Sequence, residues 1–235
     1  MRFAVIGDIH GNIYALEAVY EDIKNKNIDF VISTGDLVGY MMYPNEVIEF
    51  LKKNKIASIQ GNHDKFIAKG NKIQDISIFS QEEVQKNASE IYTNYVLKDE
   101  NREFLRNLPE EIRIRKNNFN FLIVHGSPRK IDEYLYENGE NLLEITKSFS
   151  ENVIISGHTH IPYVKKVEDK YFINAGSVGK PKHGNPKSTY VIVDLDEEIK
   201  VTIEEASYNY EKMVSDIEKN EYISQKLISM IREGL

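Results

Sequence analysis

Cysteine is absent from the 235 residues. That excludes a disulfide framework and any thiolate metal site, so a bound metal has to be held by nitrogen and oxygen. No apolar run approaches the about 20 residues needed to span a bilayer, and the opening MRFAVIGD reads as a strand where a signal peptide would need a longer apolar segment. A cytoplasmic protein with no membrane partner is expected. Positive charge is in deficit: 30 Lys and Arg face 37 Asp and Glu, a net charge of -7. Bulk binding to nucleic-acid backbones, which needs a basic face, is therefore not expected, whereas a single small nucleotide is compatible. Low-complexity stretches, internal repeats and interdomain linkers are missing too. With 41% apolar and 29% charged residues, the chain has the balance of an ordinary globular protein. Its length fits one α/β domain over 1–235 that carries a single insertion.

Residues 2–7 form a short apolar run, and from Ile13 the positions Leu16, Val19, Tyr20 and Ile23 follow helical spacing. The same step recurs at Phe30 to Ser33 with a helix over Asn45 to Asn54, and Ile56 to Gln60 reads as a further strand. Successive strand-then-helix steps predict a partly parallel sheet. From Lys65 to Leu108 the chain turns polar and helical, with Ser80 and Glu83 placed as a capping box, so this stretch is expected to be an inserted helical cap. Strands follow at Ile112 to Arg115 and Phe119 to Val124, joined by a turn at Asn117 and Asn118, then a helix over Gly139 to Phe149 and a strand at Val153 to Ser156. Runs at Tyr163 to Val167, Tyr171 to Asn174, Thr189 to Leu195 and Ile199 to Glu204 predict a second, largely antiparallel sheet. Helices over 207–235 present Met213, Ile217, Ile223, Leu227, Ile228 and Ile231 on one face, which either covers the sheet or joins two copies in a homo-oligomer.

Five motifs stand at the ends of predicted strands: GDIHG, GDLVG, GNHD, VHGSP and GHTH, which hold five of the six histidines. Open α/β sheets tend to build their sites at such ends. Asp8 and His10 are two residues apart, as are His158 and His160, so on extended backbone each pair points to one side and can grip one ion. Asp36, Asn62 and His125 arrive singly, which gives more donors than one tetrahedral ion takes. Two divalent ions that share a carboxylate fit better, with Asp36 as the bridge. Opposed by two carboxylates and a hydroxide, two such ions leave a positive site that attracts phosphate. Paired ions can also lower the pKa of a shared water and stabilise both oxygens of an in-line displacement.

Taken in this order, the motifs resemble the calcineurin-like metallophosphoesterase superfamily, in particular its small microbial phosphodiesterase branch, over Met1 to Leu195. The resemblance implies a four-layer α-β-β-α sandwich of two mixed sheets flanked by helices, with the metals above the sheet edges. It implies that Asp8, His10, Asp36 and His160 hold one ion and that Asp36, Asn62, His125 and His158 hold the other. His63 would stay unligated beside the leaving group, to donate a proton or stabilise developing charge, with Asp64 orienting it. Protein Ser/Thr phosphatases of the superfamily read GDxVDRG and GNHE, whereas this chain has GDLVGY and GNHD, so a phosphoprotein substrate is disfavoured. The segment INAGSVGKPKHGNPKSTY is similar to the branch's NPGSVGxPR loop, with Ala175 at its proline and Lys182 at its arginine.

The expected function is hydrolysis of phosphate esters by a metal-bridging hydroxide, with phosphodiesters or small nucleotide substrates ahead of a phosphomonoesterase or nucleotide pyrophosphohydrolase. Manganese is the expected assay metal, and iron, nickel and zinc suit the same donors. A metal-binding scaffold without catalysis is the rival from another class, and the intact His63 weighs against it.

Overall fold

The protein is described by a computed structural model over residues 1–235. Ten strands form two five-stranded sheets. In the first, β1 (Arg2–Ile6), β2 (Phe30–Ser33) and β3 (Ala57–Ser58) run parallel, and β9 (Ser188–Leu195) and β10 (Ile199–Ala206) add antiparallel, in the order β10-β9-β1-β2-β3. The second has the order β4-β5-β6-β8-β7, from β4 (Glu111–Lys116), β5 (Phe119–Val124), β6 (Val153–Ser156), β7 (Tyr163–Val167) and β8 (Lys170–Asn174). Its central members β5, β6 and β8 are parallel.

Alternation along the strands makes the layers. Phe3 and Val5 of β1, Phe121 and Ile123 of β5, Val153 and Ile155 of β6, and Val191 and Val193 of β9 share one apolar cluster between the sheets. Their neighbours point the other way: Ala4, Ile6, Tyr190 and Ile192 meet the outer helices of the first sheet. Leu122, Val124 and Ile154 meet α7 (Asn141–Ser148) on the far side of the second. Each side chain so buried contributes roughly 1.5–3 kcal/mol, and a one-residue slip in any strand would exchange the two cores.

Helix ends follow local chemistry. α1 (Ile13–Lys24) starts where the Asn12 side chain accepts a hydrogen bond from Ala15 N, and it buries Ile13, Leu16, Val19 and Ile23. α2 (Pro44–Lys53) opens on a proline, whose missing N–H costs nothing in a first turn. Between β3 and β4 lie α3 (Asn62–Lys69), α4 (Gln81–Lys86), α5 (Ala88–Val96) and α6 (Asp99–Arg106), and the capping box at Ser80 and Glu83 is formed. No helix is long and apolar enough to cross a membrane.

Two expectations are corrected. The last four strands do not make a separate antiparallel sheet: β7 and β8 join β4 to β6, while β9 and β10 complete the first sheet beside β1. Alternating hydrophobicity identifies a buried face and says nothing about which strand lies alongside. The strand expected over Ile56 to Gln60 keeps only Ala57 and Ser58, because Gln60 N turns away to bond Pro109 O. At the other end, α8 (Tyr210–Glu218) and α9 (Lys226–Glu233) pack Met213, Ile217, Leu227 and Ile231 on Met41 and Met42, so they cover the segment after β2.

Candidate metal centre

Every candidate ligand follows the carboxyl end of a strand. Asp8 and His10 follow β1, Asp36 follows β2, Asn62 and His63 open α3 after β3, His125 follows β5, and His158 and His160 follow β6. The two sheets thus deliver their residues to one place. Asp8, His10 and His160 gather with ligand atoms within 4.8 Å of one another, as do Asp36, His125 and His158, and His63 lies equally close to His10 and Asp36. Asn62 Oδ1 is 2.9 Å from His125 Nε2.

The backbone that achieves this is not extended. Asp8, His10, Asp36, His158 and His160 all have φ between 50° and 66°, and Tyr40, next to the loop of Asp36, has φ 59°. For a residue with a Cβ such left-handed conformations cost roughly 1–2 kcal/mol each, and strain of this kind clusters where surrounding structure holds a site in place. The Asp-x-His and His-x-His pairs therefore do not present two side chains to one side of a strand. His160 faces Asp8 and His10, while His158 faces Asp36 and His125, so the second pair is divided between two clusters. Glycines give these loops room: a Cβ on Gly61 would overlap Asp36 Oδ1, and one on Gly157 would stand 2.6 Å from Asp8 Oδ2.

Proton bookkeeping tests whether cations fit. His10 Nδ1 lies 3.1 Å from Val38 O, His160 Nδ1 2.5 Å from Lys180 O and His125 Nδ1 2.8 Å from Thr34 O. A carbonyl only accepts, so each Nδ1 carries a proton, and the neutral rings of His10 and His160 direct an Nε2 lone pair inward. Yet His10 Nε2 and His160 Nε2 stand 3.2 Å apart, with Asp8 Oδ1 3.3 Å from the latter. His158 Nε2 is buried and has no hydrogen-bond partner at all. Lone pairs turned on one another and on carboxylates are satisfied by cations between them. Asp36 Oδ2, 3.7 Å from His10 Nε2 and 3.4 Å from His125 Nε2, reaches both clusters.

Ion-free electrostatics report the same crowding. Burial, with Asp36 beside it, pushes Asp8 up to about 7. Burial would raise Asp36 as well, but His125, His63 and His10 outweigh it and hold that carboxyl well below the usual range. Burial lowers His10 and His160 well below an ordinary histidine and takes His158 to about 4. His125 resists its burial because Asp36 and Asp8 favour its cation, and it rises to about 9.

The chain belongs to the calcineurin-like phosphoesterase superfamily. Its superfamily domain matches residues 1–198. An uncharacterized protein of Methanocaldococcus jannaschii is 31% identical over 95% of this chain and 96% of its own length. A metallophosphoesterase from Sphaerobacter thermophilus superposes with TM-score 0.82 at 27% identity, covering 100% of this chain and 99% of that one. A hypothetical protein of Pyrococcus horikoshii gives TM-score 0.84 at 25% identity over 100% and 98%. This phosphoesterase is accordingly a hydrolase of a metal-dependent family, and the residues that could hold metal are those gathered above.

Three neighbours of the site are missed or misjudged from the motifs. The Tyr40 ring meets His10 at 4.7 Å and His63 at 4.9 Å, and the half-exposed Tyr134 stacks on His158 at 4.2 Å. Tyr40 directly follows GDLVG and could have been noticed there, whereas Tyr134 sits in an irregular loop whose spacing from His125 has no period. The third is Asp64, whose part differs from the expected one. Its carboxylate does not orient the His63 ring; it accepts from Leu37 N at 2.9 Å, Val38 N at 3.2 Å and Gly61 N at 3.0 Å. Asp64 thereby ties the loop of Asp36 to the turn of Asn62 and His63. It is fully buried, and that burial, with the charge of Asp36, pushes it up to about 7. Asp64→Ala leaves three buried N–H groups without an acceptor, and we expect a loss of about 2–4 kcal/mol in urea unfolding together with weakened metal binding. An unchanged unfolding midpoint would show that water replaces the carboxylate without penalty.

Proposed function

We propose that this phosphoesterase binds two divalent metal ions and hydrolyses phosphodiesters. Asp8, His10, Asp36 and His160 would hold one ion, and Asp36, Asn62, His125 and His158 the other. The observation that carries this reading is the opposition of His10 Nε2 and His160 Nε2 at 3.2 Å, both left as lone pairs, with Asp36 in reach of this cluster and of the second one. When bound, such ions supply Lewis acidity toward the phosphoryl oxygens and a nucleophilic water at neutral pH.

The chain's own groups do the rest. Backbone carbonyls of Val38, Thr34 and Lys180 hold three imidazoles in the tautomer that offers Nε2 to the metal. His158 N donates to Asp8 Oδ2 at 3.0 Å and His63 N to Asp36 Oδ1 at 2.9 Å, so each carboxylate keeps the orientation its second oxygen needs. His63, at the border of the site, would donate a proton to the departing oxygen. Basic charge near the centre comes from Lys182, whose ammonium feels Asp8 and Asp36, and from Lys180, which lies over the Tyr40 ring and acts on His10 and His63. Arg129 is committed to Glu133 and Glu144, and Lys187 to Glu205.

Manganese is the metal to assay first, since nitrogen and oxygen donors discriminate weakly among Mn, Fe, Ni and Zn. With Mn²⁺ the protein should turn over bis(p-nitrophenyl) phosphate faster than p-nitrophenyl phosphate, and a chelator should abolish both. A reversed preference would convert the proposal into a phosphomonoesterase. Metal-loaded protein inert toward every phosphate ester would leave only a binding scaffold.

A further inference from the structure

A cleft of about 630 Å³ opens beside the metal centre, bounded by the first turns of α3, by the junction of α4 and α5, and by Ile131 and Asp132. That is far more room than a phosphate needs, and it lies within the usual range of small-molecule sites. Its floor is one stripe of α3. Asn62 and His63 are followed at helical spacing by Phe66, and Phe66 by Lys69, so a candidate metal ligand, the candidate proton donor, an aromatic ring and a cation share a single face. Phe66 is 54% exposed, although burying it elsewhere would have been favourable. Across from it, Lys86, Asn87, Ser89 and Glu90 present both donors and acceptors.

We infer that this cleft is a leaving-group subsite that takes a nucleobase, stacked on Phe66, with its sugar beside His63 and its phosphate on the metal ions. The inference rests on the two-metal reading above. Position decides which half of the substrate enters, because a group lying against the proton donor is the group that departs. Chemistry decides its kind. An exposed flat ring with polar groups opposite suits a planar ligand with a hydrogen-bonding edge. A simple alkyl ester would leave the ring in water and the cleft unfilled. Phe66 also stands one helical turn beyond His63, the separation that a single sugar bridges.

The test compares adenosine 5′-monophosphate with ribose 5-phosphate, which has the same phosphate and sugar but no base, by calorimetric titration of the manganese-loaded protein. The wild type should bind the nucleotide about 10-fold more tightly, as expected for one base on one ring. In Phe66→Ala the ratio of the two affinities should collapse to about one, and Phe66→Tyr should restore it. A wild-type ratio near one, or a ratio that survives in Phe66→Ala, overturns the subsite. Hydrolysis of bis(p-nitrophenyl) phosphate reports on the underlying reading separately. Turnover without a preference for the nucleotide removes only the subsite, whereas absence of turnover removes both.

Discussion

Asparagine in place of Asp36 should empty both ion sites at once. Asp36 is the one carboxylate near both clusters, 3.7 Å from His10 Nε2 and 3.4 Å from His125 Nε2. Asn preserves an oxygen for the bond from His63 N, so the fold has little reason to change. What is lost is the charge and one of two oxygens at the point that the two proposed cations would share. Metal analysis should fall from about two ions per chain to below one, and turnover should drop by about 10³-fold or more, the equivalent of several kcal/mol of charge stabilisation. The same substitution should alter the protons exchanged on loading. Without ions His125 keeps its proton up to about 9 and Asp8 titrates at about 7, so metal must displace protons at neutral pH. Apparent affinity should therefore rise with pH and level off above about 9, and it should fall most steeply below about 7, where Asp8 also protonates. Removing Asp36 takes away the main partner that favours the His125 cation, so the variant should release fewer protons in calorimetry across buffers of different ionisation enthalpy. Full occupancy of both sites in Asp36→Asn would refute the bridge.

Much of this arrangement could be read from residue order, and the reasons are local. A glycine-flanked polar motif at the end of an apolar run announces a strand that stops at a site, which is why Asp8, Asp36, Asn62, His125 and His158 could be picked out singly. Helical stripes such as Ile13, Leu16, Val19 and Ile23 and the pairing of Ser80 with Glu83 depend on contacts within one turn, and both appear in the structure as expected. What escaped depends on contacts distant in the chain. The partner strand of β9 is β1, more than 180 residues earlier, and β9's apolar character would have suited either sheet. The resemblance already divides His158 from His160, but residue spacing alone puts them on one ion, because it does not show the left-handed backbone, φ 66° and 61°, which residues other than glycine adopt only when the surroundings impose it. Those surroundings include the bond from His158 N to Asp8 Oδ2, a distant segment of the chain, and that from Lys182 N, beyond the loop, to His160 O. Asp64 was visible as the last letter of GNHD, but its acceptors' partners lie on a different loop.

His63→Ala should slow the reaction without emptying the sites, and the size of the loss should depend on the leaving group. His63 stands against the rings of His10, 5.1 Å away, and Tyr40, and its own connection to Asp36 runs through its backbone N–H. Removing the imidazole therefore leaves that hydrogen bond intact, and metal content should stay near two ions per chain. A positioned proton donor contributes about 10²–10⁴ in rate, so kcat should fall by that factor on a substrate that expels an alkoxide, such as the sugar oxygen of a nucleotide ester. p-Nitrophenolate leaves readily without a proton, so bis(p-nitrophenyl) phosphate should lose much less. Equal losses on both substrates would assign His63 to binding or charge stabilisation. Loss of metal would make it a ligand, a role its proximity to His10 and Asp36 allows on distance alone. The contrast between an alkoxide and a phenolate thus separates three uses of one imidazole that the geometry places within a few ångströms of each other.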